Sequence, residues 1–194
     1  MSDGWGGAAS AVPSTSSALP AVAGSGSLGP MAMRRKALEA GHRRKFLVVV
    51  DDTPECDRAV VFATLRASHT DGGLVLLYVV DDSDFRGFLG VEQTMRAEAR
   101  AEAETVLEAV AARVQEIAAV TPERVLREGE RAAAVLALIE ADEDVAVLVL
   151  AAGTDSDGPG PLVASLAGRA SGHFPIPITI VPGHLSDAEI AAVA

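Results

Sequence analysis

Residues 151–168, "AAGTDSDGPGPLVASLAG", place Gly153, Gly158 and Gly160 ahead of a hydroxyl, Ser165, at the start of a short apolar run. Glycines leave backbone N–H groups open to an anion, and a helix start adds donors and a favourable dipole. The chemistry this pattern suits is non-covalent phosphate binding. Two features oppose it: Pro159 and Pro161 have no N–H to offer, and Asp155 and Asp157 repel a polyphosphate unless Mg²⁺ lies between them. No segment matches the GxxxxGK[ST] or GxGxxG phosphate loops.

A second acidic feature is the pair Asp51-Asp52, which ends "FLVVVDD". In phosphorylatable receiver domains such a pair holds Mg²⁺ beside a phosphoacceptor aspartate. Those domains also need an aspartate at the end of a later strand and a lysine near the last one. Here the third strand ends "LREG", and the only lysines are Lys36 and Lys45, so phosphoacceptor chemistry is excluded. His42, His69, His173 and His184 are scattered, with no pair at ligand spacing and no second cysteine, which argues against a metal site. Cys56 falls in the first turn of an expected helix, where the dipole can lower a thiol pKa. No histidine is near it in sequence, so a half-buried structural cysteine is the favoured reading.

These residues are positioned by an alternation of strands and helices. "KFLVVVD" (45–51) and "LVLLYVVD" (74–81) are continuous apolar, β-branched runs, as strands buried on both faces require. Between them, Thr53 and Pro54 read as N-cap and first position of a helix ending near Ser68. An irregular stretch with Phe85, Phe88 and Leu89 leads to a long helix over about 91–119. Met95, Ala99, Ala103, Val106, Val110, Val114 and Ile117 form its apolar stripe. "ERVLREG" (123–129) reads as a strand, 131–141 as a helix, and "VAVLVLAAG" (145–153) as the most apolar strand. A small helix is expected over about 162–171 and a last strand over 176–181. Pro177 within that strand places it at a sheet edge or start. Ser186 to Glu189 forms a capping box for a tail helix. Such repetition means an open, parallel α/β sheet with helices on both faces. Its ligands belong at the carboxyl ends of the strands, so the loops 51–54 and 153–161 are the candidates.

Composition bounds the remainder. With 49% hydrophobic but only 4% aromatic residues, the core is aliphatic. Residues 1–33 carry one charged side chain, Asp3, and are rich in Gly, Ser, Ala and Pro; they cannot bury enough to offset their ordering entropy and are expected to be disordered. An alternative translation start at Met31 or Met33 is a hypothesis that their place before the first charged segment raises. Arg34, Arg35, Lys36, Arg43, Arg44 and Lys45 against Glu39 make 34–45 a basic lead-in, expected to be solvated. One α/β domain then spans 46–183, followed by a short helix in 184–194. Residues 46–194 hold ten arginines, no lysine and 25 acidic residues, a balance that disfavours nucleic acid as a partner. No apolar run reaches the ~20 residues that cross a bilayer, no secretory signal is present, and a lone cysteine suits a reducing compartment. A cytoplasmic protein without a membrane partner is expected.

The order and spacing of these segments resemble the universal stress protein family over about 45–182. "FLVVVDDTPECDRAV", "LVLLYVVDD", "VLREGERAAAVLALIEADEDVAVLVLAAGT" and "FPIPITIVPG" occupy the places of its strands and their following loops. The resemblance implies an adenine nucleotide alpha hydrolase-like fold with strand order 3-2-1-4-5. It also implies a stress-response role by binding or regulation rather than turnover, and a homodimer through the last strand, 176–181, whose apolar edge would otherwise be exposed.

One branch of the family binds ATP through a loop reading Gly-x-x-Gly, nine residues, then Gly-Ser or Gly-Thr. Carried over, its nucleotide site takes Val50 and Asp51, the latter against the nucleoside, and Val79 beside the adenine. It further takes Ala152, Gly153, Thr154, Gly158 and Gly160 in the loop, and Ala164, Ser165 and Leu166 at the helix. Gly153 and Ser165 match clearly. The second glycine falls on Ser156 counted from Gly153 and on Thr154 counted from Ala164-Ser165, because the loop is two residues short. Two readings therefore stand: a switch binding ATP or AMP, with or without Mg²⁺, in which an AMP-like ligand fits better; and a dimeric protein-interaction module whose loop is rebuilt. A slow ATPase is a third and weaker reading, since no general base or lysine is placed for it, and no enzyme is expected.

Overall fold

The computed structural model describes residues 35–81, 92–154, 158–169 and 174–194. The expectations for 1–33, Phe85, Phe88, Leu89, Asp155, Ser156, Asp157 and His173 fall outside them. The chain runs β1 (Lys45–Val50), α1 (Cys56–His69), β2 (Gly73–Val80), α2 (Glu92–Ile117), β3 (Glu123–Glu128), α3 (Arg131–Ala141) and β4 (Val145–Ala152). There follow α4 (Pro161–Val163), continued as a π-helical stretch over Ala164–Arg169, then β5 (Ile178–Pro182) and α5 (Asp187–Ala191). The five strands are ordered β3-β2-β1-β4-β5 and every pairing is parallel, as expected.

The period-2 alternation of the strands divides the core into two layers. Phe46, Val48 and Val50 of β1 pack with α1, α2 and α5 through residues such as Val60, Leu107, Val114 and Ile190. Leu47 and Val49 point the other way, to Val135 and Ile139 of α3 and Val163 of α4. This two-sided demand explains why β1 is apolar at every position after Lys45. In α2 the expected stripe is present, with Ala103 and Val114 buried, and Leu107 joins them.

Four local outcomes differ from the sequence reading. First, α1 begins at Cys56 rather than Pro54, with Glu55 as an N-cap that makes no side-chain bond. Thr53 is spent elsewhere: its N–H and hydroxyl both donate to Oδ1 of Asp51, at 3.1 and 2.6 Å. A short local side chain to backbone bond has displaced the helix cap. Second, the helix after the loop is widened, since its α-turn passes at Ala164 into the π-helical stretch. Third, β5 starts after Pro177, whose carbonyl accepts from Leu148 N–H at 3.0 Å; β5 is an edge strand, as the proline implied.

Fourth, the basic segment is paired and not merely solvated. Lys36 Nζ meets Glu143 at 2.8 Å, His42 Nδ1 meets Asp144 Oδ1 at 2.6 Å, and Lys45 Nζ lies 2.9 Å from both Glu123 and Asp142. Arg35 Nη1 donates to the Asp142 carbonyl at 2.9 Å. The acidic turn 142–144 is thus matched by cations about a hundred positions earlier. The capping box of α5 forms as expected, with Ser186 and Glu189 bonded reciprocally.

Candidate functional site

From β1 the chain steps outward to β2 and β3, then returns to place β4 on the opposite side of β1. The order reverses between β1 and β4, and the gap beyond their carboxyl ends is where such a sheet holds a ligand. A cavity of about 200 Å³ occupies that gap. Its floor is aliphatic, from Val49, Leu150, Ala151 and Val163, and Asp51, Thr53, Glu55 and Cys56 form one wall. Pro159, Gly160, Pro161 and Leu162 close it from the loop, and Arg131 stands at its rim. A groove of about 480 Å³, lined by Asp81, Glu130, Arg131, Pro161, Leu162 and Ser165, adjoins it and shares Arg131, Pro161 and Leu162.

Two of the donors that the glycine loop and its helix would offer a phosphate, the Gly153 N–H and the Ser165 hydroxyl, are engaged within the protein. The Gly153 N–H points to the Pro159 carbonyl at 3.4 Å, a weak bond that folds the loop on itself. A Cβ on Gly153 would lie 3.0 Å from Glu55 Oε1 and 3.3 Å from the Gly158 carbonyl, so close packing alone accounts for this glycine. Gly160 has φ of +95° and ψ of +153°, a conformation open almost only to glycine, and it turns the chain into Pro161. The Ser165 hydroxyl donates to the Leu162 carbonyl at 3.0 Å, which commits its one proton to the helix. At the neighbouring α3 terminus, Glu130 accepts from the N–H groups of Ala132 and Ala133 at 2.9 and 2.7 Å. That helix start is capped by its own carboxylate.

Asp51 lines the cavity, and its Oδ1 accepts from the N–H and hydroxyl of Thr53. Cys56 is the structural cysteine that the sequence favours, and it is buried rather than half-buried. The thiol is buried, 3.9 Å from the Val49 carbonyl, and burial pushes its pKa up to about 12, with the carboxylates of Asp51, Asp57 and Glu55 adding to the effect. Desolvation outweighs the helix start, so this is an inert structural thiol.

The expected site residues divide by location. Asp51 and Gly160 line the cavity, and Ser165 lines the groove. Val50, Val79 and Leu166 are buried in the core and line neither space. Ala152, Gly153, Thr154, Gly158 and Ala164 line neither space. Sequence reasoning missed Glu55 and Arg131. Arg131 follows "EGE" at the carboxyl end of β3, and including that loop among the strand-end loops would have found it. Among the described residues no three His, Cys, Asp or Glu side chains converge as a metal site, and no helix is long and apolar enough to cross a membrane.

A family model described as "Universal stress protein family" matches residues 42–182. By structure the chain is similar to universal stress protein UspA from Lactobacillus plantarum, with a TM-score of 0.59 and 21% identity, over 71% of this chain and 97% of that one. It is similar to a universal stress protein from Archaeoglobus fulgidus in complex with dAMP, with a TM-score of 0.51 and 14% identity, over 71% and 97%. It is also similar to a universal stress protein in complex with cAMP, with a TM-score of 0.51 and 16% identity, over 72% and 97%. No protein of curated function matches by sequence.

Proposed function

Because the chain belongs to the universal stress protein family, and is therefore a stress-response module on a parallel α/β sheet, we propose that its cavity between β1 and β4 binds an adenine nucleotide, with AMP preferred to ATP. The observation that carries this reading is the cavity itself: about 200 Å³, an aliphatic floor, and a wall bearing Asp51 and Glu55. The floor suits the faces of a purine, and carboxylates accept from ribose hydroxyls. Its volume lies below the roughly 300 Å³ at which small-molecule pockets begin, so it suits a nucleoside with its chain leaving through the groove. The triphosphate grip is weakened, since Gly153 N–H and the Ser165 proton are engaged within the protein. The dAMP and cAMP bound by the two related proteins each carry one phosphate.

Calorimetric titration of the full chain with AMP and with ATP, each with and without Mg²⁺, tests the reading. AMP is expected to bind more tightly than ATP and to be indifferent to Mg²⁺, because a single phosphate needs no counter-ion bridge. Absence of binding by both at millimolar concentration overturns the nucleotide reading. Tighter binding of ATP overturns the preference.

A second reading, a dimeric interaction module, is favoured by the edge position of β5, where Ile180 is 41% exposed on a strand that, among the described residues, pairs with β4 alone. We infer a homodimer joined edge to edge through residues 176–181, which would cover that strand. Ile180→Lys is expected to convert a dimer to a monomer in light scattering coupled to size exclusion. A wild-type chain that runs as a monomer sinks the inference.

A further inference from the structure

We propose that Arg131 is the residue that reads the ligand's phosphate, and that it limits the ligand to a nucleoside monophosphate; this rests on the nucleotide reading of the cavity. Arg131 lies at the junction of the two spaces, lining both the cavity and the groove together with Pro161 and Leu162. A ligand seated on the aliphatic floor and extending into the groove must pass it.

Three observations single it out. Among the described residues lining either space it is the sole cation, against Asp51 and Glu55 in the cavity and Asp81 and Glu130 in the groove. Among the described residues its guanidinium has no hydrogen bond or ion pair, whereas Arg58, Arg96, Arg100 and Arg113 are each held by carboxylates. Its neighbour Glu130, the nearest acid in sequence, is spent on the α3 amides. A planar fork of donors is therefore held at the first position of an eleven-residue helix with no described acceptor.

Guanidinium geometry matches phosphate in a bidentate way that a loop amide or an ammonium does not. One such group balances one phosphate. Second and third phosphates would enter a groove whose other charged residues, among those described, are Asp81 and Glu130, and like charges repel there. The Gly153 amide, which the loop would have offered instead, is turned to Pro159. Selectivity for one phosphate thus comes from a single arginine set among acids.

The test compares AMP with adenosine, by calorimetry, for the full-length wild type, Arg131→Gln, Arg131→Lys and Arg124→Gln. The last removes the same charge from β3, outside the cavity and the groove. Circular dichroism confirms that each variant is folded. Wild type and Arg124→Gln are expected to bind AMP on the order of tenfold or more tightly than adenosine, as a charged hydrogen-bonding partner provides. In Arg131→Gln the ratio should fall to about one, with Arg131→Lys between the two. An undiminished ratio in Arg131→Gln overturns the role of Arg131 while the nucleotide reading stands. Wild-type protein that binds neither ligand overturns both. If Arg131→Gln does not fold, an unchanged ratio in Arg131→Lys overturns the bidentate contact.

Discussion

Leu148→Ala is expected to lower the unfolding free energy by about 3 kcal/mol, as large-to-small substitutions at fully buried leucines do. Leu148 is completely inaccessible at the middle of β4, opposite Leu47 of β1 and Ile178 of β5. It belongs to the layer under α3, among Val135, Ile139 and Leu150. Strands on both sides fix the backbone, so the layer cannot close over the lost methyl groups and a cavity remains. Against a typical domain stability of roughly 5–15 kcal/mol the loss is a large fraction. Leu150, two residues on and in the same layer, lines the cavity, so the effect reaches the site as well. Urea unfolding should show a lower midpoint at unchanged slope. Leu38→Ala, at a side chain 81% exposed, should stay within about 0.5 kcal/mol. A loss below about 1 kcal/mol for Leu148→Ala would contradict its placement in a closed layer.

The thiol of Cys56 is expected to react about a thousandfold more slowly in the folded protein than in the unfolded chain at pH 8. The attacking species is the thiolate, and its population falls roughly tenfold for each unit by which the pKa rises from 9.0 to about 12. Alkylation with iodoacetamide, native against urea-unfolded, followed by mass spectrometry reads the ratio. The same shift has a consequence for stability, and its sign follows from linkage. Folding favours the protonated thiol, so this contribution is complete below about pH 9 and is lost as pH rises from there toward 12. The urea midpoint should decline over that window, and the decline should be shallower in Cys56→Ala. Native-state alkylation as fast as that of the unfolded chain would show the site to be open, contrary to its burial.

Much of the fold could be read from local pattern. The runs at 45–51, 74–81 and 145–153 carry apolar side chains toward both faces, which only a parallel sheet covered on both sides satisfies. The strand order came from likeness to a family, and the structure has that order. The edge position of the last strand followed from one missing N–H, at Pro177. Element starts were less legible. Thr53 has the right type and place for a helix cap, yet Asp51, two residues earlier, captures its hydroxyl and N–H. The basic segment 34–45 looked solvated because its partners, Asp142 to Asp144 and Glu123, lie far along the chain.

For the candidate site the division is sharper. Its location beyond β1 and β4, with Asp51 at the wall and Gly160 in the loop, follows from the βα alternation and from residue types in the sequence. What the loop can still offer a ligand was decided in three dimensions. Glu55 approaches Gly153, the Gly153 amide turns to Pro159, and the Ser165 proton goes to Leu162. Residue type states how many donors a loop possesses; only the folded chain states which remain unspent. The placement of Arg131 at the cavity rim is of the same kind. Its charge is plain in the sequence, but its nearness to Asp51 and Pro161 arises from contacts across roughly 80 and 30 residues, set by the return of the chain from β3 to β4. Hydrophobic periodicity is a local property and is written locally, whereas the occupancy of hydrogen-bonding groups depends on pairs distant in the chain and is settled only by packing.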